Sequence, residues 1–212
     1  MSIDDLELGQ FLIAKFSHDV AGVIGAINSG VDFLKMNDER TRDRALDLLY
    51  TSSEQAVAKL QFYRYAYGSV KGPGEANLEE IQSLCEKFLA KKFSLEFHGN
   101  YFSDPSLFIC SRTGKVITCL VEVVAGSLIY GGSIKVDVAK SEKGKKITVS
   151  GSGKSVKIDR EKCEIMQGVE SPLGIFNVHH HYTGHLISAI PAALAFSVSE
   201  NNIEFVLNCD VV

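Results

Sequence analysis

The chain has 212 residues, 45% of them hydrophobic and 23% charged, with a formal net charge of −4. Such a length allows one large domain or two small ones, and this balance suits a folded soluble protein and excludes a disordered one. The negative net charge argues against a nucleic-acid binder, whose phosphate contacts need a basic footprint.

The opening MSIDDLELGQ is acidic and lacks a positive stretch leading into an apolar run, so it does not read as a secretory signal. Two long helical patterns follow. Leu12, Phe16, Val20, Val23, Ile27, Val31 and Leu34 recur at steps of three and four, as a core-facing helical stripe does. NDER, residues 37–40, supplies a polar corner, and Ala45, Leu49, Ser52, Ala56, Leu60, Tyr63 and Tyr67 continue the same rhythm. Two such helices with a short turn form an antiparallel hairpin with one bare apolar face. That face predicts a homodimer closed as a four-helix bundle.

GSVKGPGEA, residues 68–76, is the clearest linker. It divides the chain into a helical hairpin at 1–68 and a second domain at 77–212. NLEEIQSLCEKFLAKK reads as a helix opened by Asn77, with Glu80 three residues on. SLEFHG reads as a strand and RTGKVITCLVEVVAGSLIYG as a mostly buried helix. SIKVDVAK, KKITVSG and SVKID are strand-like, DREKCEIMQG is a short helix, and VHHHYTGHLISAIPAAL a helix stopped near Pro191. AFSVSE and IEFVLNC close the chain as a hairpin turning at Asn201-Asn202. The fold class is α+β, with one mixed sheet and helices on one face, an α/β sandwich. VITCLVEVVAGSLIYGG is too short to span a membrane and is interrupted by Glu122. The five cysteines are scattered and mostly within apolar runs, the usage of reduced cysteine in a cytoplasmic protein.

KFSHDVAGVIGAINSG, residues 15–30, holds the main puzzle. Gly22, Gly25 and Gly30 each cost about 1 kcal/mol against alanine inside a helix. At about 100° per residue, Phe11, Ala14, Lys15, Gly22, Gly25 and Ser29 fall within about 60° of His18, opposite the apolar stripe. His18 therefore stands on the solvent face among side chains that leave room for another macromolecule. Phe11, Ala14, Ala21, Gly22 and Gly25 form the expected docking surface, with Phe11 an exposed apolar anchor. Gly30 points instead toward the packed side.

A free imidazole, with a pKa of about 6.5, is largely neutral and nucleophilic near neutral pH. Its Nε2 can attack a phosphoryl group when Nδ1 holds the proton. Asp19 is placed to orient that nitrogen, and Lys15, a turn back, to offset phosphoryl charge. No second base or metal ligand shares this face. Receiving and passing on a phosphoryl group needs little beyond exposure, orientation and a partner that brings the metal.

Two further motifs compete for attention. GSGKS at 151–155 lacks the earlier glycine of a phosphate-binding loop, since Thr148 stands there, and it reads as a hairpin turn. His179, His180, His181 and His185 lie about one helical turn apart in pairs, without a neighbouring carboxylate or cysteine. They read as an ordinary helix surface, with transition-metal binding the alternative. The lysines of AKSEKGKK read as a solvated hairpin tip.

KFSHDVAGVIGAINSGVDFL resembles the first helix of the bacterial ChpT family of histidine phosphotransferases. The shared pattern is a His-Asp pair at His18 and Asp19, small residues, Gly25-Ala26-Ile27, and Asn28 with Gly30 before an apolar end. KLQFYRYAYGSV is similar to the end of that family's second helix, and GGSIKVDV, KKITVSG and HHYTGHLISAI fall in the family's order. The resemblance implies a dimer of hairpins, like a sensor histidine kinase core, carrying a degenerate kinase-like ATPase domain. It makes His18 the phosphoryl acceptor between receiver domains of a hybrid histidine kinase and of response regulators, with Mg²⁺ supplied by the receiver and no cofactor bound here. The family often has Ser-Pro where this chain has Gly22 and Val23, which removes an expected kink. A working kinase of this type needs an asparagine on the VITCLVEVVAGSLIYGG helix and an aspartate where Gly151 stands. A kinase or phosphatase with residual nucleotide binding, and a non-catalytic dimeric scaffold, are the rival readings.

Overall fold

The computed structural model describes residues 4–36, 38–69, 74–99, 107–142 and 144–210. Helices α1 (Asp5–Leu34) and α2 (Glu39–Tyr67) form the hairpin. The side chain of Asp4 caps α1 by accepting from Leu6 N at 3.1 Å, and Asp38 caps α2 by accepting from Thr41 N at 3.0 Å. Gly30 of α1 sits beside Ala45 and Leu49 near the start of α2, while Asp19 sits beside Lys59 and Tyr63 near its end, so the helices run antiparallel. A Cβ on Gly30 would stand 2.7 Å from Leu49 Cγ, so glycine permits this close approach. Asn37 of the polar corner and residues 70–73 of the linker lie outside the described residues.

The stripes of the hairpin shift along its length. Val20, Val23, Ala45 and Ser52 are buried between the helices, whereas Val31 and Leu60 of the expected stripes are exposed. Toward the end of α2 burial passes to Phe62, Tyr63 and Ala66, because there the helix meets the second half of the chain. Phe62 stacks on Phe88 with ring centroids 3.7 Å apart.

Helix α3 (Leu78–Leu89) opens with Asn77 Oδ1 accepting from Glu80 N at 3.1 Å. A 3-10 turn (Ala90–Lys92) leads to β1 (Phe93–His98), and α4 (Ser111–Ser127) follows. Strands β2 (Gly132–Ser141) and β3 (Gly144–Ser152), short helix α5 (Arg160–Met166), α6 (Val178–Ser188), and hairpin β4 (Ala192–Val198) and β5 (Asn202–Asp210) complete the order. The sheet order is β1-β2-β3-β5-β4, with β1 parallel to β2 and the other pairs antiparallel. In β2 Ile134, Val136 and Val138 are buried while Lys135 and Asp137 are exposed, so one face carries the core and the other faces water. Helix α4 lies across the covered face, with Val116, Ile117, Leu120 and Val124 fully buried. All five cysteines are free thiols, and Cys110, the exposed one, caps α4 through Thr113 N.

Three local expectations fail. SVKID forms no strand: only Val156 makes an isolated bridge, with Leu128, and its backbone bonds go to Glu200 and Ser127 at loop and helix ends. GSGKS is not a hairpin turn but the exit from β3 toward α5, pinned by Gly153 N donating to Asn201 O at 3.0 Å. His179 and His181 of α6 do not lie on an ordinary surface, because the helix is packed against α4, α5 and α1, whereas His185 is exposed as expected. His179 and His181 are buried, and burial pushes the His180 imidazole down to about 3. Among the described residues no group of three or more His, Cys, Asp or Glu is placed to hold a metal. The lysine-rich tip joins β2 to β3, with Lys143 outside the described residues. Among the described residues, no helix is long and apolar enough to cross a membrane.

Candidate functional site

The His18 side chain is 81% exposed on α1. A Cβ on Gly22 or Gly25 would meet nothing within 4 Å, and Ala14 and Ala21 are exposed beside them. The small residues therefore line open space around the imidazole. Phe11 departs from expectation, being half-buried: a helical side chain leans back over the preceding turn, which covers part of the ring.

Behind the histidine the polar groups are tightly arranged. His18 Nδ1 lies 3.3 Å from Asp19 Oδ1. A carboxylate only accepts, so this contact places the proton on Nδ1 and leaves the Nε2 lone pair facing solvent. Asp19 Oδ2 accepts from Lys15 Nζ at 2.5 Å and from the Tyr63 hydroxyl at 2.6 Å. Lys59 Nζ donates to the Asp19 backbone carbonyl at 2.8 Å. Burial raises the cost of charge on Asp19, yet the bonds from Lys15 and Tyr63 outweigh it and hold the carboxyl below its ordinary value. Burial likewise works against charge on Lys15, but Glu122 and Asp19 together hold its ammonium above the usual lysine range.

Lys15 corrects the reading of this face. Its Nζ is turned away from the open side and bridges Asp19 to Glu122 Oε1, 3.0 Å away on α4. Two carboxylates outbid solvent for the ammonium, and the side chain is only 19% exposed. Tyr63, Lys59 and Glu122 were not singled out from the sequence as site residues. Glu122 carried a signal, since a carboxylate in the middle of a buried apolar helix requires a cationic partner. Lys59 and Tyr63 are four apart on α2 and reach the same residue of α1, a pairing visible only once the hairpin register is known.

Behind this cluster Tyr67 donates to His179 Nδ1 at 2.9 Å, while His179 Nε2 faces the Cys119 carbonyl at 3.1 Å. On the sheet, Gly151 is pressed under α4, where a Cβ would collide with Val124 Cγ1 and stand 3.1 Å from Leu128 Cδ1. A side chain at that strand position would force Val124 to move.

Residues 78–202 match the family model described as the histidine phosphotransferase C-terminal domain. The chain belongs to the histidine phosphotransferase family. It is 24% identical over 202 residues to the protein phosphotransferase ChpT of Brucella abortus, covering 93% of this chain and 92% of that one. The fold superposes on a solved bacterial phosphotransferase with a TM-score of 0.81 at 21% identity, covering 98% of both chains. A histidine kinase, AdeS of Acinetobacter baumannii, superposes more loosely, with a TM-score of 0.48 at 9% identity over 91% of this chain and 97% of that one. The α+β architecture and a histidine phosphotransferase role in a phosphorelay follow from the family.

Proposed function

We propose that His18 is the group that carries the phosphoryl, passing it between aspartates of two receiver domains. In the first step Nε2 attacks the phosphorus of a receiver's aspartyl phosphate. The N–P bond forms, the P–O bond to the aspartate breaks, and the carboxylate leaves with its electron pair. The Nδ1 proton stays against Asp19, whose charge offsets the positive charge that the ring gains. In the second step a carboxylate oxygen of another receiver attacks phosphorus and the imidazole recovers its lone pair. Mg²⁺ belongs to the receivers' acidic pockets, and this chain brings no cofactor. The observation that carries the reading is an imidazole 81% exposed whose Nδ1 is backed by a carboxylate.

The hairpin is expected to pair with a second copy. Ile13, Ile24 and Val31 of α1 and Tyr50, Val57 and Leu60 of α2 are large apolar side chains left exposed. On α1 these residues lie about 120–140° around the helix from His18, so closing a four-helix bundle on them leaves the imidazole open. The hairpin spans roughly 1–68 and the sheet domain 77–212, and the packing of Gly151 under α4 supports a sheet domain that does not serve ATP.

The test is incubation of the protein with radiolabelled, phosphorylated receiver domains and Mg²⁺. Acid-labile label is expected on this chain and is expected to be lost in His18→Ala. Equal labelling of that variant would refute the assignment.

A further inference from the structure

Glu122 stands in α4, a helix most of whose residues are buried, flanked by Val121 at 0% and Val123 at 5% exposure. It belongs to α4, in the sheet domain, whereas His18 and Asp19 belong to the hairpin. Its Oε1 accepts from Lys15 Nζ at 3.0 Å. Its Oε2 is buried and, among the described residues, has no hydrogen-bond partner. The nearby imidazole does not supply one: His179 Nδ1 is 3.5 Å away, but His179 carries its proton on Nε2 against the Cys119 carbonyl, and its Nδ1 accepts from Tyr67. The Glu122 carboxylate is therefore balanced by a cation that comes from the other half of the chain.

That cation has a second task. Lys15 Nζ and the Tyr63 hydroxyl both occupy Asp19 Oδ2, at 2.5 and 2.6 Å, which fixes the carboxylate rotor and leaves Oδ1 to face His18 Nδ1. We propose that Glu122 is a positioning residue for phosphoryl transfer: by holding Lys15 against Asp19 Oδ2, it selects the imidazole tautomer that leaves Nε2 free. The sheet domain thus acts on the acceptor through two intervening side chains, without touching it. The proposal rests on the reading of His18 as acceptor. An imidazole exposed to water and left unguided favours the opposite tautomer, with the proton on Nε2, where it blocks attack.

The experiment uses the full chain labelled with ¹⁵N-histidine, with His18 assigned by the His18→Asn variant. Long-range ¹H–¹⁵N spectra at about pH 8, where free imidazole is neutral, report the tautomer. Wild type is expected to hold the proton mainly on Nδ1. Glu122→Gln keeps an oxygen that accepts from Lys15 and is expected to preserve that balance. Glu122→Ala is expected to shift it toward Nε2–H and to slow transfer from a phosphorylated receiver about ten-fold, the scale seen when a group orienting a histidine is removed. The loss falls on kcat and not on KM, because Glu122 lies away from the docking face. An unchanged His18 tautomer in a folded Glu122→Ala protein overturns the proposal. Should that variant fail to fold, Lys15→Met removes the cation through which Glu122 acts, and an unchanged tautomer there overturns the proposal equally. A wild-type protein that takes no label refutes the acceptor reading, while the spectra still decide what Glu122 does.

Discussion

Replacing both Gly22 and Gly25 by alanine sets stability against function on the same helix face. Each glycine lies inside α1, and a Cβ at either meets nothing within 4 Å, so no packing cost offsets the gain in helix propensity. Each change is worth about 1 kcal/mol, or about 2 kcal/mol together. For a chain of this size each kcal/mol moves the midpoint by about 2–4 °C, so the double variant melts about 4–8 °C higher by circular dichroism. The same two methyl groups stand beside His18, where a receiver must approach closely, so transfer from a phosphorylated receiver slows about ten-fold, equivalent to about 1.4 kcal/mol. A double variant that is more stable and still transfers at the wild-type rate would refute the idea that these glycines clear a docking surface. Gly30→Ala supplies the contrast: its methyl meets Leu49 Cγ at 2.7 Å, and the overpacking cost of about 1–3 kcal/mol cancels or exceeds the propensity gain.

Other expectations are shorter. Asp19 has a depressed carboxyl pKa, so its interactions stabilise the fold above the unfolded value of about 3.9 and fade as pH falls through the folded value. Asp19→Asn should therefore flatten the loss of melting temperature on acidification between about pH 5 and pH 2, and equal slopes would show that Asp19 is not the group involved. If the proposed pairing holds, light scattering should show the unaltered chain as a dimer and Ile24→Glu with Val57→Glu as a monomer, with the sheet domain's spectrum intact. Gly151→Asp should destabilise by about 3 kcal/mol, since it drives a carboxylate into Val124, and should not create nucleotide binding by calorimetry.

Much of the architecture is legible in the sequence because it depends on short-range rules. The Asn77 cap and the alternation of SIKVDVAK are local and form where the pattern places them, and the closing hairpin forms too, though its turn spans residues 199–202 and not Asn201-Asn202 alone. His18 with its small neighbours is also local, since one helical wheel suffices to set them on one face. What fails depends on partners distant in sequence. SVKID has strand composition but finds Ser127 and Glu200 instead of a free sheet edge. His179 and His181 look polar in sequence and are buried because three helices close around them, while His185 stays exposed. Lys15 is the instructive case. Its position on α1 is right, but its direction is decided by Glu122, 107 residues away.

The last turns of α2 have a consequence for how this architecture can change over time. Phe62 and Ala66 are wholly enclosed, Tyr182 donates to the Ala66 carbonyl at 2.8 Å, and Lys115 reaches the Gly68 carbonyl. The stem of the hairpin is rooted in its neighbour, so a gene shortened to the first two helices would encode a chain with raw hydrocarbon at its base. Deleting the sheet domain would therefore leave the hairpin's base without the partners that now cover it.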